Sequence, residues 1–247
     1  MKIALFNGST WGRRGNTNLM CQDFCAGVFE AGAKVQTIHL SEKKIETCFG
    51  CEACFFQTPG ACKIKDDMSS LIDKFISSDV VVFATPLYMD NVSGLTKTFL
   101  DRLLPILEPH YEKDKLGECR RCARYDRYPK LFVIASCSMP EASQFEVLKV
   151  YFRRLARTFH TELIGEIYLP AAGLMYLGTQ DPKYSALVKQ YRDMLGDAGL
   201  QLGQAGNVSA DLLEKLNKPL IEVDDYINYA NRIWDQLLSE RTSEQLQ

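Results

Sequence analysis

The 247-residue chain has no excess of charge of either sign, because 29 Lys and Arg side chains stand against 31 Asp and Glu side chains and leave a net charge of −2. Proteins that bind nucleic acid or an anionic membrane need a basic surface, so this balance speaks against both classes. The sequence also lacks an apolar run of the roughly 20 residues that cross a bilayer. We expect no signal peptide either, since a short strand-like segment follows Met1 at once. We therefore expect a cytoplasmic protein with no nucleic-acid partner and no membrane partner.

Cysteine, in contrast, is abundant. The nine cysteines are an odd number, and without a secretion signal they argue against a framework of disulfides. Four of them, Cys48, Cys51, Cys54 and Cys62, lie within fifteen residues. Two-residue spacers let successive sulfurs turn toward one point, so this segment can hold one metal centre. Three alternatives remain open: a 4Fe-4S cluster, which the repeated short spacing favours, a zinc ion, or unmetallated thiols that pack as small apolar side chains.

Short apolar runs alternate with amphipathic stretches, which is typical of a mostly parallel sheet with helices on both faces. The apolar runs predict strands at residues 3–6, 34–40, 80–84, 131–135 and 163–169. The amphipathic stretches predict helices at residues 16–31, 66–75, 93–107, 145–159, 184–202, 210–216 and 223–238. Residues 108–128 read as a charged, irregular insertion. We expect one unit, made of a domain over residues 1–200 with a cysteine-rich insertion at 48–62 and a helical extension over 201–247.

The loop between the first strand and the first helix has the composition of an anion site. Its glycines and hydroxyl residues let backbone N–H groups converge on an anion, and the helix N-terminus favours negative charge. It has neither G-x-G-x-x-G nor a Lys-Ser/Thr pair, so a single phosphate monoester fits it better than a nucleoside triphosphate. The alternative is an ordinary loop in which Asn16 or Thr17 caps the helix. The candidate ligands are Ser9, Arg13, Arg14, Asn16 and Thr17.

In a sheet of flavodoxin-like order, the ligand crevice lies between the first and third strands. The loop that follows the third strand, residues 85–94, contains a rigid proline and a tyrosine that could pack against a flat heterocycle. A third loop, residues 136–139, follows the fourth strand. The candidate contacts for such a ring are Pro86, Leu87, Tyr88, Asn91, Ser136 and Ser138.

These motifs occur together in an order that resembles the NADPH-dependent FMN reductase superfamily, and within it the iron-sulfur flavoproteins. They are Gly8-Ser9, Gly15-Asn16-Thr17, the compact cysteine motif, Asp66-Asp67-Met68, Thr85-Pro86-x-Tyr88, Val92-Ser93-Gly94, Lys97 and Asp101-Arg102. The resemblance covers roughly residues 1–200. It implies a flavodoxin-like three-layer α/β sandwich with a five-stranded parallel sheet in the order 2-1-3-4-5. It also implies an FMN whose phosphate lies in the first loop and whose ring lies beside Tyr88. Thr10-Trp11 stand where the family has Pro-Arg, so either Arg13 or Arg14 would take the place of the family arginine.

The same resemblance implies an FMN-dependent oxidoreductase that takes electrons from NAD(P)H or a ferredoxin-like donor and passes them to a small acceptor. The flavin would carry the chemistry, and no catalytic side chain is assigned. Two alternatives stay open, a flavodoxin-like electron carrier without a substrate and a flavin reductase with zinc or free thiols at the four cysteines. An apolar stripe in the last helix predicts a homodimer or a homotetramer. Cys119 and Cys122 form a second Cys-x2-Cys, whose neighbouring arginines would favour the thiolate and could make the pair redox-active; the alternative is a surface loop.

Overall fold

The computed structural model of the protein describes residues 1–178 and 181–244, so residues 245–247 of the predicted extension lie outside the described part. Its strands are β1 (Lys2–Asn7), β2 (Lys34–His39), β3 (Val80–Tyr88), β4 (Asn91–Val92), β5 (Leu107–Lys113), β6 (Cys119–Ala123), β7 (Lys130–Ser136) and β8 (Leu163–Leu169). Its helices are α1 (Asn16–Glu30), α2 (Ala53–Phe56), α3 (Met68–Ile76), α4 (Gly94–Asp101), α5 (Glu146–Thr158), α6 (Leu174–Leu177), α7 (Pro182–Ala205), α8 (Ala210–Leu216) and α9 (Val223–Glu244).

Five strands form a parallel sheet in the order β2-β1-β3-β7-β8. Counted over the parallel strands alone, this is the predicted order 2-1-3-4-5. Three short antiparallel strands were not predicted: β4 pairs with β3, and β5 pairs with β6 in a separate ribbon. The central strand β3 is buried on both faces, as its uninterrupted apolar run indicates.

Apolar side chains cover both faces of the sheet and create the three layers. On one face, the ring of Phe83 from β3 lies within 6.5 Å of the rings of Phe75, Phe99 and Phe152, which come from α3, α4 and α5. On the other face, α1, α7 and α8 contribute to a second apolar core that includes Phe24. The predicted sandwich is confirmed.

Helices α1 and α7 approach each other so closely that their backbones touch. A methyl group placed on Gly199 would lie 1.9 Å from the carbonyl oxygen of Phe24, and one placed on Gly27 would lie 1.8 Å from the carbonyl oxygen of Gly196. Only glycine permits this contact. The boundary drawn from the sequence at residue 200 lies inside α7, and Leu216, farther along the chain, packs in the same core as α1.

The edge strand β8 is covered by a side chain rather than by another strand. Asn217, at the end of α8, donates from Nδ2 to the carbonyl of Glu166 over 2.9 Å and accepts at Oδ1 from the N–H of Tyr168 over 2.8 Å. One amide side chain therefore satisfies two backbone groups on the outer side of β8.

Residues 93–128 depart from the sequence prediction. The helix predicted to reach residue 107 ends at Asp101, and the predicted irregular insertion is the β5–β6 ribbon. Pro105 lacks a backbone N–H and interrupts the helix. Arg124 then donates from Nε to the carbonyl of Pro105 over 2.9 Å and from Nη2 to that of Leu107 over 3.1 Å. The periodicity of the sequence does not reveal these hydrogen bonds from Arg124, because they join positions that are far apart in the chain.

The last helix is only partly packed against the rest of the chain. Tyr229 lies in the core, whereas Ile227, Trp234, Leu237 and Leu238 face outward. Among the described residues, no helix combines the length and the apolar character that crossing a bilayer requires.

Candidate functional site

Three loops meet at the carboxyl ends of β1, β3 and β7. The N–H of Gly8, just after β1, donates to the carbonyl of Ala84 in β3 over 2.8 Å. Pro86 and Ser136 are register partners at the ends of β3 and β7. The loops predicted to bind a ligand therefore lie next to one another at this end of the sheet, where ligands bind in sheets of this order, and we refer to this end as the crevice.

The first loop presents an uncapped helix N-terminus to this crevice. Gly15 is the N-cap residue of α1 and no side chain caps the helix there, so the cap expected as the alternative, Asn16 or Thr17, does not form. The Oγ1 of Thr17 instead shares a hydrogen bond of 2.8 Å with the Oγ of Ser136. Ser9 is buried, and its N–H donates to Oδ1 of Asn7 over 2.9 Å. Backbone donors at an uncapped N-terminus suit an anion.

The two arginines of the loop lie in different environments. Arg13 donates from Nε to Oε1 of Glu42 over 2.8 Å, and both side chains are largely exposed. The hydrogen bond from Arg13 lowers the pKa of Glu42. Arg14 has its guanidinium carbon 5.9 Å from the centroid of the exposed Trp11 ring. Arg13 is therefore already paired, and nothing in the sequence near the loop indicated Glu42 as its partner.

Beneath the loop lies a small buried polar cluster that sequence reasoning missed. Nδ2 of Asn7 lies 3.4 Å from Oδ1 of Asn18 and 3.5 Å from Nδ1 of His39. Asn18 in turn donates to the carbonyl of Arg13 over 2.9 Å and supports the loop from below. Burial lowers the pKa of His39, and the charge of Arg13 lowers it further.

The segment predicted as a loop after the third strand is a tight hairpin. Strand β3 continues to Tyr88, and Met89 and Asp90 make the turn with φ of 48° and 58° before β4 begins. Left-handed backbone at two successive non-glycine residues costs energy, and such strain concentrates at functional sites. Ser93 holds the hairpin to the first loop, because its hydroxyl donates to the carbonyl of Gly8 over 2.6 Å.

The predicted ring contacts lie around this hairpin and the third loop, with differing exposure. Tyr88 is 41 % exposed, and its hydroxyl lies 3.3 Å from Oγ1 of Thr10. Pro86 and Ser136 are buried, Leu87 is half-buried, and Asn91 and Ser138 are exposed. The Oδ1 of Asn91 accepts from the N–H of Val92 over 2.8 Å.

The four clustered cysteines line a single pocket. Cys54 is buried on α2, and Cys48, Cys51 and Cys62 are half-buried around it, together with Arg102. Burial raises the pKa of the Cys54 thiol, and the other three cysteines raise it further through their charge. Within the described residues, no three His, Cys, Asp or Glu side chains converge closely enough to hold one metal ion. The structure brings the predicted thiols together but does not show a metal site.

A buried ion pair lies against this pocket. Arg102 and Asp66 have side chains that are 1 % and 0 % exposed, and Nη1 of the arginine lies 2.7 Å from Oδ2 of the carboxylate. Burial lowers the pKa of Arg102, but the hydrogen bonds with Asp66 and the charge of the nearby Cys62 outweigh it, and the net shift is upward. The sequence placed both residues in family motifs without indicating that they pair.

The second cysteine pair is not brought together. Cys119 and Cys122 lie three positions apart on β6. Side chains of a strand alternate between its faces, so these two thiols point to opposite sides. They do not form the redox pair that their spacing suggested.

Comparison with known proteins finds a match to one family model and relatives of similar sequence. Residues 1–117 match the family model described as NADPH-dependent FMN reductase. An iron-sulfur flavoprotein of Archaeoglobus fulgidus is 34 % identical over 102 residues, which are 41 % of this chain and 48 % of that protein. A putative NAD(P)H-dependent FMN-containing oxidoreductase of Bacillus subtilis is 32 % identical over 102 residues, 41 % of this chain and 51 % of that protein. The chain thus spans about half the length of these relatives.

Solved structures share the architecture. An NAD(P)H:quinone oxidoreductase from Methanothermobacter marburgensis superposes with a TM-score of 0.59 at 15 % identity, over 82 % of this chain and 96 % of that one. An FMN-dependent NADH-azoreductase from Bacillus anthracis, solved in complex with FMN, gives a TM-score of 0.59 at 14 % identity, over 82 % and 99 % of the two chains. At this level of identity the likeness establishes the fold alone.

Proposed function

We propose that the protein is an FMN-dependent oxidoreductase, because residues 1–117 match the family model described as NADPH-dependent FMN reductase. It takes electrons from NAD(P)H or from a ferredoxin-like donor and passes them to a small acceptor. The observation that carries the proposal is the uncapped N-terminus of α1, which faces the crevice between the ends of β1, β3 and β7.

In this proposal the first loop holds the phosphate of FMN. The N–H groups at the start of α1 and the hydroxyls of Ser9 and Thr17 donate to it, with Asn16 beside them, and Arg13 or Arg14 supplies positive charge. The ring lies against Pro86, Leu87, Tyr88 and Asn91 of the hairpin, and Ser136 and Ser138 border its other side. Bound FMN supplies the redox chemistry, since it accepts a hydride and returns electrons in pairs or singly. The protein positions the ring and shields it from water.

We further propose that Cys48, Cys51, Cys54 and Cys62 hold a 4Fe-4S cluster, which would carry single electrons. The shared pocket and the cationic Arg102 beside it suit an anionic cluster. The repeated two-residue spacing favours the cluster over zinc, since zinc sites generally pair two cysteines with two more ligands at a distance.

The second candidate function is that of an electron carrier without a substrate, in which FMN receives electrons only from a protein partner. The strongly exposed Met89 at the tip of the hairpin, with 97 % of its surface accessible, favours it, because a partner protein could contact the crevice there. The two functions differ in whether NAD(P)H reduces the flavin directly.

The remaining properties are proposals of the same kind. The outward-facing apolar residues of α9 support a homodimer or a homotetramer. Nine free cysteines suit a reducing compartment, so we propose the cytoplasm. The net charge close to zero supports small-molecule or protein redox partners rather than nucleic acid.

An absorption spectrum of the protein, purified without oxygen, tests the cofactors, and addition of NADPH tests the activity. We expect flavin bands over a broad iron-sulfur absorbance, iron and acid-labile sulfide near four of each per chain, and bleaching of the flavin by NADPH. Flavin without iron would contradict the proposed cluster, whereas it would still be consistent with a flavin reductase. Flavin that dithionite bleaches and NADPH does not would favour the carrier. A protein without flavin after incubation with FMN would overturn the whole proposal.

A further inference from the structure

Arg102 carries an unpaired hydrogen-bond donor. Its Nη1 donates to Oδ2 of Asp66 over 2.7 Å and to the carbonyl of Glu46 over 2.6 Å, and its Nη2 donates to Oδ1 of Asp66 over 3.0 Å. The Nε has no partner. Within the described chain, it is the one buried side-chain nitrogen or oxygen of which this is true.

An unpaired N–H in a side chain that is 1 % exposed costs free energy, so its persistence calls for an acceptor. Arg102 lines the same pocket as Cys48, Cys51, Cys54 and Cys62. Whatever the four thiols hold is therefore adjacent to the guanidinium.

Asp66 fixes the orientation of that donor. Its two carboxylate oxygens receive the fork of Nη1 and Nη2, and they also accept the N–H groups of Glu46 and Met68 over 2.9 and 3.1 Å. The plane of the guanidinium is thus held on its Nη side. The remaining edge, which carries Nε, is left for another acceptor.

We propose that Nε–H of Arg102 donates a hydrogen bond to a sulfur of the cluster bound by the four cysteines, and that Arg102 thereby raises the reduction potential of the cluster. The inference rests on the proposed function, because it requires the cluster. It assigns to Arg102 a role in setting the reduction potential of the cluster, and to Asp66 the role of a positioning residue.

The direction of the effect follows from charge. On reduction the cluster gains one electron and becomes more negative, and nothing else need enter or leave. A nearby cation and a hydrogen bond to sulfur both stabilise the more negative form. Asp66 acts in the opposite sense through its own charge, although it also holds the arginine in place.

The test is a potentiometric titration of the full-length protein under anaerobic conditions, with the reduced cluster followed by electron paramagnetic resonance. We expect Arg102→Gln to lower the equilibrium constant for cluster reduction about tenfold, which is about 59 mV for one electron. In Asp66→Asn the lost negative charge raises the potential and the loosened guanidinium lowers it, so we expect a smaller net shift than in Arg102→Gln. An iron-loaded Arg102→Gln variant that keeps the wild-type potential would overturn the inference.

Arg192→Gln is the matched control. Arg192 forms a similar two-point ion pair with Asp23, at 2.8 and 2.9 Å, between α1 and α7, and it does not line the cysteine pocket. We expect its cluster potential to equal that of the wild type. If Arg102→Gln does not fold, Arg102→Lys takes its place: its ammonium pairs with Asp66 and leaves the sulfur without a donor, so the potential should again fall. A wild-type potential in that variant would overturn the hydrogen bond.

Iron and sulfide content separates this inference from the proposed function. Wild-type protein that binds FMN without iron would overturn the cluster itself. Iron-loaded Arg102→Gln with the potential of the Arg192→Gln control would overturn only the role of Arg102.

Discussion

Thr17 and Ser136 are 119 positions apart in the chain, yet their hydroxyl oxygens lie 2.8 Å from each other. Thr17 stands in the first turn of α1, and Ser136 ends β7. The two hydroxyls join the first and third loops of the crevice. The loop proposed to bind the phosphate and the loop proposed to border the ring are therefore connected by a hydrogen bond. Each hydroxyl has one proton, and a ligand oxygen can compete for it.

Replacing Thr17 with Val should weaken FMN binding. The change keeps the volume and removes a donor to a charged phosphate, and hydrogen bonds to charged groups are worth about 1.5–3 kcal/mol. We expect the dissociation constant measured by flavin fluorescence to rise at least tenfold. Thr158→Val is the control, because the hydroxyl of Thr158 binds a carbonyl within α5. Equal affinities in the two variants would place the phosphate elsewhere.

Glu42→Gln should strengthen FMN binding a few-fold. Glu42 forms an ion pair with Arg13, and removal of its charge would free the guanidinium of Arg13 for the phosphate. The effect is small because an exposed ion pair is weak. Arg13→Ala and Arg14→Ala distinguish the two arginines in the same fluorescence titration. If Arg14→Ala weakens binding while Glu42→Gln and Arg13→Ala do not change it, the phosphate ligand is Arg14.

Cys48→Ser and Cys62→Ser should lose most of the iron. Serine keeps the size of the side chain but is a poor ligand for an iron-sulfur cluster, which thiolates hold. Cys119→Ser is the control, since this thiol is exposed on β6 outside the pocket. Iron and acid-labile sulfide per flavin give the readout. Equal iron in all three variants would mean that the compact motif is not the cluster site.

Acidification should destabilise the protein through His39. The folded pKa of this histidine lies below the ordinary value of 6.5, because burial and Arg13 disfavour the charged ring. The unfolded chain therefore takes up the proton first. The contribution of neutral His39 is complete above pH 6.5 and is lost as the pH falls toward the folded pKa.

Urea unfolding of the wild type and of His39→Gln at a series of pH values checks this expectation. The difference between their free energies of unfolding should stay constant above pH 6.5 and shift in favour of His39→Gln below it. Parallel pH profiles over the whole range would contradict it.

Two glycines of α7 should respond oppositely to alanine. A methyl group on Gly199 would lie 1.9 Å from the carbonyl oxygen of Phe24, whereas the nearest such atom for Gly196 is 3.8 Å away. We expect Gly199→Ala to cost at least about 1–3 kcal/mol through overpacking. Gly196→Ala should instead stabilise the protein by about 1 kcal/mol, because alanine favours a helix. Thermal unfolding measures both, and a stabilised Gly199→Ala would contradict the close helix contact.

The parallel strands themselves could be predicted because short strand-like runs alternate with amphipathic helices, and their order followed from the resemblance to the flavodoxin-like family. The meeting of the first loop with the segments after β3 and β7 followed from that order. Spacing alone also identified the four cysteines that share a pocket.

Other features depend on contacts between distant positions. The β5–β6 ribbon is held by arginine side chains that bind carbonyls many residues away. The pairs Arg13–Glu42 and Arg102–Asp66 join positions 29 and 36 residues apart, and no local periodicity encodes them. The hairpin turn at Met89 and Asp90 contains no glycine, which is the usual signal for a left-handed backbone.

Asn217 has a consequence for how copies of this chain can meet. An uncovered edge strand offers its backbone as a template on which another chain can continue the sheet, the route by which β-proteins aggregate. At β8 the amide of Asn217 already occupies the backbone groups of Glu166 and Tyr168. A second chain would have to displace that side chain, and α8 with it, before it could add a strand at this place. Assembly that preserves the fold is therefore directed away from this edge of the sheet.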